Sequence, residues 1–141
     1  MTKEELQNVI FLDFETNGLY GPCLELYALD YSGKELINCV QNDLYLNQML
    51  LSLLKIGDDG KQVFWVWSRW HVDYIQKHAE EFFKESHANV FCFADVCMFL
   101  FGKRKIEDIT KLLVRREHKG NAIQDAKDLL DAFCQVARSK I

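Results

Sequence analysis

The run Val9-Ile10-Phe11-Leu12-Asp13-Phe14-Glu15-Thr16-Asn17-Gly18-Leu19 places two carboxylates inside an otherwise hydrophobic segment. The β-prone residues around Asp13 and Glu15 predict a buried strand. Side chains two apart on a strand share a face, so both acids point the same way near its end. Like charges held together at the edge of a core repel unless a cation or a proton is shared between them. A divalent metal meets that need, and oxygen donors favour hard Mg²⁺ or Mn²⁺. The competing reading is a strand that ends in two solvated acids. Against it, Asp is depleted in strands and Gly18 turns the chain at once.

The elements that must position these acids follow from periodicity. The first strand covers about residues 9–14, and Gly18, Gly21 and Pro22 mark the turn after it. Strand-like runs over about 23–30 and 35–41 are joined by Tyr31-Ser32-Gly33-Lys34, a hairpin connection. Leu46, Leu50, Leu53 and Leu54 predict a helix over 44–55, followed by the loop Gly57-Asp58-Asp59-Gly60. Residues 62–67 are apolar on both faces, as in a central strand. Ile75, His78, Ala79 and Phe82 mark a helix over about 73–85. A last strand is expected over 88–94, a short apolar helix over 95–101 and a helical stretch over 106–114. Ala126, Leu129, Leu130, Phe133, Val136 and Ala137 form the clearest amphipathic helix, with Asn121 and Gln124 as its start. Strands first, then helix and strand in alternation, predict an α/β fold: a mixed sheet, β-meander first, flanked by helices.

The bulk composition fits this. A chain of 141 residues, 49% hydrophobic, supports one domain over 1–141 with a substantial core. A single proline and 13% aromatic residues argue against disorder. No uninterrupted apolar run of about 18 residues occurs, and Met-Thr-Lys-Glu-Glu lacks a signal-peptide pattern. An intracellular, cytoplasmic protein is expected. Cys23, Cys39, Cys92, Cys97 and Cys134 form no CxxC pair and read as small hydrophobes in a reducing compartment. Net charge is −4, but residues 103–119 carry 7 Lys and Arg against 3 acids. Lys103, Arg104, Lys105, Arg115, Arg116 and Lys119 form either a phosphate-contacting strip or a solvated helix face.

Asp-Phe-Glu-Thr-Asn-Gly-Leu, residues 13–19, resembles the first motif of the DEDD-type (DEDDh-like) 3′–5′ exonucleases. These belong to the ribonuclease H-like superfamily, whose members include polymerase proofreading subunits. The element order above is similar to that fold along essentially the whole chain. Gly120-Asn121-Ala122-Ile123-Gln124-Asp125-Ala126 resembles the family's H-x-A-x-x-D-A motif, with Ala122, Asp125 and Ala126 in register. An acid on the inward side of an amphipathic helix also requires a partner in its own right. The family's third acid begins the helix after the fourth strand. Asp73 occupies that place, without the usual His-Asn pair before it. The alternative is an ordinary helix-start Asp.

By this resemblance Asp13, Glu15, Asp73 and Asp125 hold two Mg²⁺ or Mn²⁺ ions. The backbone of Thr16, Asn17 and Gly18 approaches the terminal nucleotide, and Leu19 wedges against its base. Trp70, beside Asp73, is a candidate for base stacking. The family's general-base histidine falls on Gly120, and the tyrosine of a sister subgroup falls on Asn121. His118, two residues upstream, is either a displaced base with a suitable intrinsic pKa or an exposed loop residue. The expected activity is release of nucleoside monophosphates from single-stranded DNA or RNA 3′ ends. Two other readings stand beside it: a weak or inactive homologue that binds nucleic acid or protein, and a small-nucleotide phosphodiesterase.

Overall fold

The computed structural model describes residues 9–16, 23–40, 63–82, 89–114 and 121–140. The expected helix over 44–55 and the Gly57–Gly60 loop lie outside them. Strands β1 (Val9–Thr16), β2 (Cys23–Asp30) and β3 (Glu35–Val40) form an antiparallel meander. Strands β4 (Val63–Val66) and β5 (Asn89–Cys92) extend the sheet in parallel on the other side of β1. The order β3-β2-β1-β4-β5 puts β1 at the centre of a five-stranded mixed sheet. This is the α/β arrangement expected from the chain: a mixed sheet, meander first, flanked by helices.

Helix α1 (Arg69–Phe82) follows β4, and α2 (Phe93–Phe101) follows β5. A short helix α3 (Ile106–Ile109) runs into a π-helical turn at Thr110–Val114, within the stretch read as helical. The long helix α4 covers Ala122–Lys140. Gly102 closes α2 in the left-handed conformation (φ 69°), and its N–H returns to Met98 O.

Alternation along β1 sorts its side chains onto two cores. Ile10, Leu12 and Phe14 pack with Leu26, Ala28 and Phe64 of the sheet and with Tyr74 and Ile75 of α1. Val9 and Phe11 face the other way, against Ala126, Leu129 and Phe133 of α4. Phe11 and Phe133 meet edge to face with centroids 5.1 Å apart. Asp13 and Glu15 continue that second face, so the strand delivers both acids to the α4 side.

Two local devices fix the helices that border the site. Asn121 Oδ1 accepts the Gln124 N–H at 2.8 Å, an N-cap of the kind whose removal costs about 1 kcal/mol. The Gln124 side chain donates instead to Asp128 Oδ1 at 2.9 Å, so the reciprocal half of a capping box is not built. In α1, Ser68 precedes the first turn, and its Oγ accepts the His71 N–H at 3.4 Å. That start lies upstream of residue 73, where hydrophobic spacing alone puts it, because Ser68 supplies a cap that the apolar pattern does not register.

Candidate metal centre

Asp13 and Glu15 on β1 meet Asp125 from the first turn of α4. One ligand oxygen from each lies within 4.8 Å of the others. Asp13 and Asp125 are buried, 1% and 3% exposed, while Glu15 is half-buried. Trp67, at the end of β4, donates its indole N–H to the Asp125 carbonyl at 2.6 Å. That bond ties the first turn of α4 to the sheet and sets the height at which Asp125 enters the cluster. The β1–β2 register shifts between Glu15 and Thr16, an irregularity of the kind that re-aims side chains beside sites.

Burial raises the Asp13 carboxyl well above the usual range, and the neighbouring charges of Asp125, Glu15 and Glu25 raise it further. Its Oδ2 is buried and accepts no hydrogen bond among the described residues. A costly acid, an orphaned oxygen and three converging carboxylates fit a hard divalent cation. Below that raised pKa, such a cation must displace a proton from Asp13. Mn²⁺ affinity is therefore expected to rise as pH rises through Asp13's elevated pKa, with proton release on binding. Calorimetry in buffers of different ionisation enthalpy measures that release, and Asp13→Asn should lose it.

Glu25 was not anticipated. It stands opposite Glu15 in the β1–β2 register and adds to the field on Asp13. Alternation in β2 places Glu25 and Tyr27 on one face, but cross-strand register cannot be read from either strand alone.

Asp73 is exposed and is not a member of the acidic cluster. His71 occupies the inward position instead, at 7% exposure, with Nε2 3.4 Å from Asp13 Oδ1. The reason is rotational. With α1 starting at Arg69, residues 71, 74 and 75 face the sheet, and residue 73 lies about 200° round the helix from residue 71. The signal for His71 was Ser68, three residues earlier, which marks the helix start.

The tautomer of His71 follows from its partners. Phe14 O, 3.2 Å from Nε2, can only accept, so Nε2 carries the hydrogen. Ser68 then donates its hydroxyl to Nδ1 at 2.7 Å. Burial lowers the imidazole pKa to about 4, partly offset by the bond to Phe14, so the ring is neutral at neutral pH.

Trp70 is half-buried, with its ring centroid 5.9 Å from Phe14 and 5.6 Å from Tyr74. Thr16 ends β1 half-buried. Asn17, Gly18, Leu19 and His118 lie outside the described residues, as do Arg115, Arg116 and Lys119. Lys103, Arg104 and Lys105 are exposed, and Arg104 reaches Asp95 at 3.3 Å. Cys97 is buried, Cys92 and Cys134 are half-buried, and all three are free thiols. A separate cavity of about 380 Å³, lined in part by Tyr31, Leu130 and Arg138, shares no residue with the acidic cluster. Among the described residues no helix is long and apolar enough to cross a membrane.

No protein-family model matches the chain, and no curated protein matches it. A solved structure described as the apo form of a nuclease superposes with a TM-score of 0.56 at 14% sequence identity. The match covers 99% of this chain and 80% of that one. At that identity the likeness is one of architecture: this chain has an α/β fold shared with a nuclease, and an acidic cluster suited to metal lies at the end of its central strand.

Proposed function

We propose that this protein is a metal-dependent 3′–5′ exonuclease that removes nucleoside monophosphates from single-stranded DNA or RNA ends. The observation that carries the reading is the convergence of Asp13, Glu15 and Asp125 within 4.8 Å at the end of β1. The shared fold with a nuclease supports it. In the reaction a water oxygen adds to phosphorus and the bond to the 3′ oxygen breaks, leaving a nucleoside 5′-monophosphate and a shortened strand. A bound Mg²⁺ or Mn²⁺ supplies Lewis-acid activation of water and neutralises phosphate charge.

The chain's own residues supply position and proton transfer. Asp13, Glu15 and Asp125 would hold the cation, and Trp67 and the Asn121 cap fix Asp125 relative to β1. Thr16, which ends β1, and Asn17, Gly18 and Leu19, which follow it in sequence, are assigned to the terminal nucleotide. His118, three residues before Asn121 in the sequence, is assigned the proton from water. Lys103, Arg104 and Lys105 are candidates for the strand's phosphates, which would make binding salt-sensitive. The position of Asp73 outside the cluster favours one other reading, a slow or inactive homologue that binds nucleic acid. End-labelled single-stranded DNA and RNA, incubated with Mn²⁺ with and without chelator, separate the two. Chelator-sensitive stepwise shortening from the 3′ end is expected. Binding without shortening would reject the exonuclease in favour of the second reading.

A further inference from the structure

Large apolar side chains grouped in water mark a contact surface. Helix α2 ends on Met98, Phe99 and Phe101, all exposed, and Phe99 is 89% exposed. The same helix buries Phe93, Ala94 and Cys97, so its core-facing stripe is complete without them. Gly102 closes the helix, and Lys103, Arg104 and Lys105 follow, all exposed. Arg104 does not serve the C-terminus of α2, where a cation would favour the last carbonyls. It turns back to Asp95 in the first turn at 3.3 Å, and Arg69 at the start of α1 meets the same carboxylate at 3.7 Å. Asp95 and Phe99 are one turn apart on one face of α2, a spacing that sets their Cβ atoms about 5–6 Å apart. The exposed ring therefore shares its face with two guanidinium groups, and Lys103 and Lys105 flank Arg104 in sequence. Nearby acids have other roles. Asp73 and Glu107 each have a lysine one turn further along, Lys77 and Lys111, and Asp108 lies in the first turn of α3, where an acid suits the helix dipole.

This group adjoins the acidic cluster. Strands β1, β4 and β5 run parallel, so their C-terminal ends share one edge of the sheet. Asp13 and Glu15 lie near that end of β1, and α1 and α2 start there, after β4 and β5. His71 in the first turn of α1 lies 3.4 Å from Asp13, and Arg69, two residues before it, reaches across to Asp95. We propose that Phe99 and the cations gathered around Asp95 form a second contact for a single-stranded nucleic acid, upstream of its 3′ end. A base stacks on the Phe99 ring, and Arg69, Lys103, Arg104 and Lys105 take phosphates. An exposed ring beside cations is the combination that holds single strands without regard to sequence. Each guanidinium carries five N–H donors, and the contact with Asp95 leaves others for phosphate oxygens. An apolar interface suits the group less well, because it would strip water from Asp95 and the four cations. The inference rests on the reading that the substrate is a single strand, and gives that strand an anchor outside the acidic cluster.

The test measures binding to the full chain by fluorescence anisotropy, with labelled oligo-dT and oligo-U of about twelve nucleotides, in chelator so that no strand is cut. Phe99→Ala is expected to weaken binding about 5- to 100-fold, the range for losing one stacked base. Phe99→Leu keeps apolar area without a ring and should lose about as much, whereas Phe99→Trp should bind at least as well as the wild type. Lys103→Ala/Lys105→Ala should flatten the plot of log affinity against log salt by about 1.4, at about 0.7 for each phosphate contact removed. Phe99 is exposed, so its variants are expected to fold, and circular dichroism checks this. Wild-type affinity in Phe99→Ala would overturn the proposal. So would Phe99→Leu restoring what Phe99→Ala loses, since apolar docking and not stacking would then be at work. Wild type that ignores both strands but binds anionic vesicles would overturn it too, in favour of a lipid surface. Failure of the exonuclease reading looks different: strands held through Phe99 but left uncut when Mn²⁺ is added would reject cleavage and leave the anchor in place.

Discussion

Asp13→Asn is expected to lower metal-dependent turnover by at least about 10³-fold, roughly 4 kcal/mol in the barrier, while the protein stays folded. Asn keeps the size of the side chain and loses the charge that a hard cation needs. Asp13 also sits where its ionised form is most costly, buried and beside Asp125, Glu15 and Glu25. Its pKa in the folded state lies above the unfolded value of about 3.9, so the folded state binds the proton more tightly. Stability from this residue therefore falls as pH rises from the unfolded value through the folded one. Asp13→Asn has no such loss. At neutral pH, without metal, the variant should melt at a higher temperature than the wild type, and added Mn²⁺ should narrow or reverse the difference. Melting curves with and without Mn²⁺, alongside turnover, check both halves. A variant that degrades single strands at the wild-type rate would place the chemistry elsewhere.

His118→Ala should reduce turnover by about 10²- to 10⁴-fold with little change in strand binding, the range typical of losing a general base. The motivation is chain distance. His118 precedes Asn121, the residue that caps α4, and α4 presents Asp125 in its first turn. The position at which the sequence resemblance would put a base is Gly120, which offers no proton acceptor. His71 is a poor substitute, since Phe14 and Ser68 occupy both of its ring nitrogens. Single-turnover rates at saturating Mn²⁺, with strand affinity measured separately, isolate the proton-transfer step. Unchanged rates in His118→Ala would exclude the histidine from catalysis.

The parts of the site legible in the sequence are those set by local pattern. Asp13 and Glu15 follow from strand alternation alone. Asp125 follows from a helix whose apolar stripe turns it inward, and Asn121 marks where that helix begins. Trp67 is apolar in pattern, yet its indole N–H on the Asp125 carbonyl is a contact across the fold that periodicity cannot show. Asp73 and His71 differ by two residues, and the choice between them rests on where α1 starts. Hydrophobic spacing through Ile75, His78, Ala79 and Phe82 defines the body of that helix but not its first turn. Ser68 does, and once the cap is placed there the inward residue is the histidine. Glu25 was hidden for a different reason. The β-strand it lies on is evident, but the register that sets it opposite Glu15 emerges only when the strands pair.

A crystal structure of the protein soaked in Mn²⁺, with anomalous data collected at the manganese edge, tests the metal centre most directly. An anomalous peak is expected between Asp13, Glu15 and Asp125, at about 2.1–2.3 Å from an oxygen of each, the distance of a hard cation from its ligands. Carboxylates more than about 8 Å apart, with no anomalous peak between them, would contradict it, because that separation is too wide for one cation to bridge.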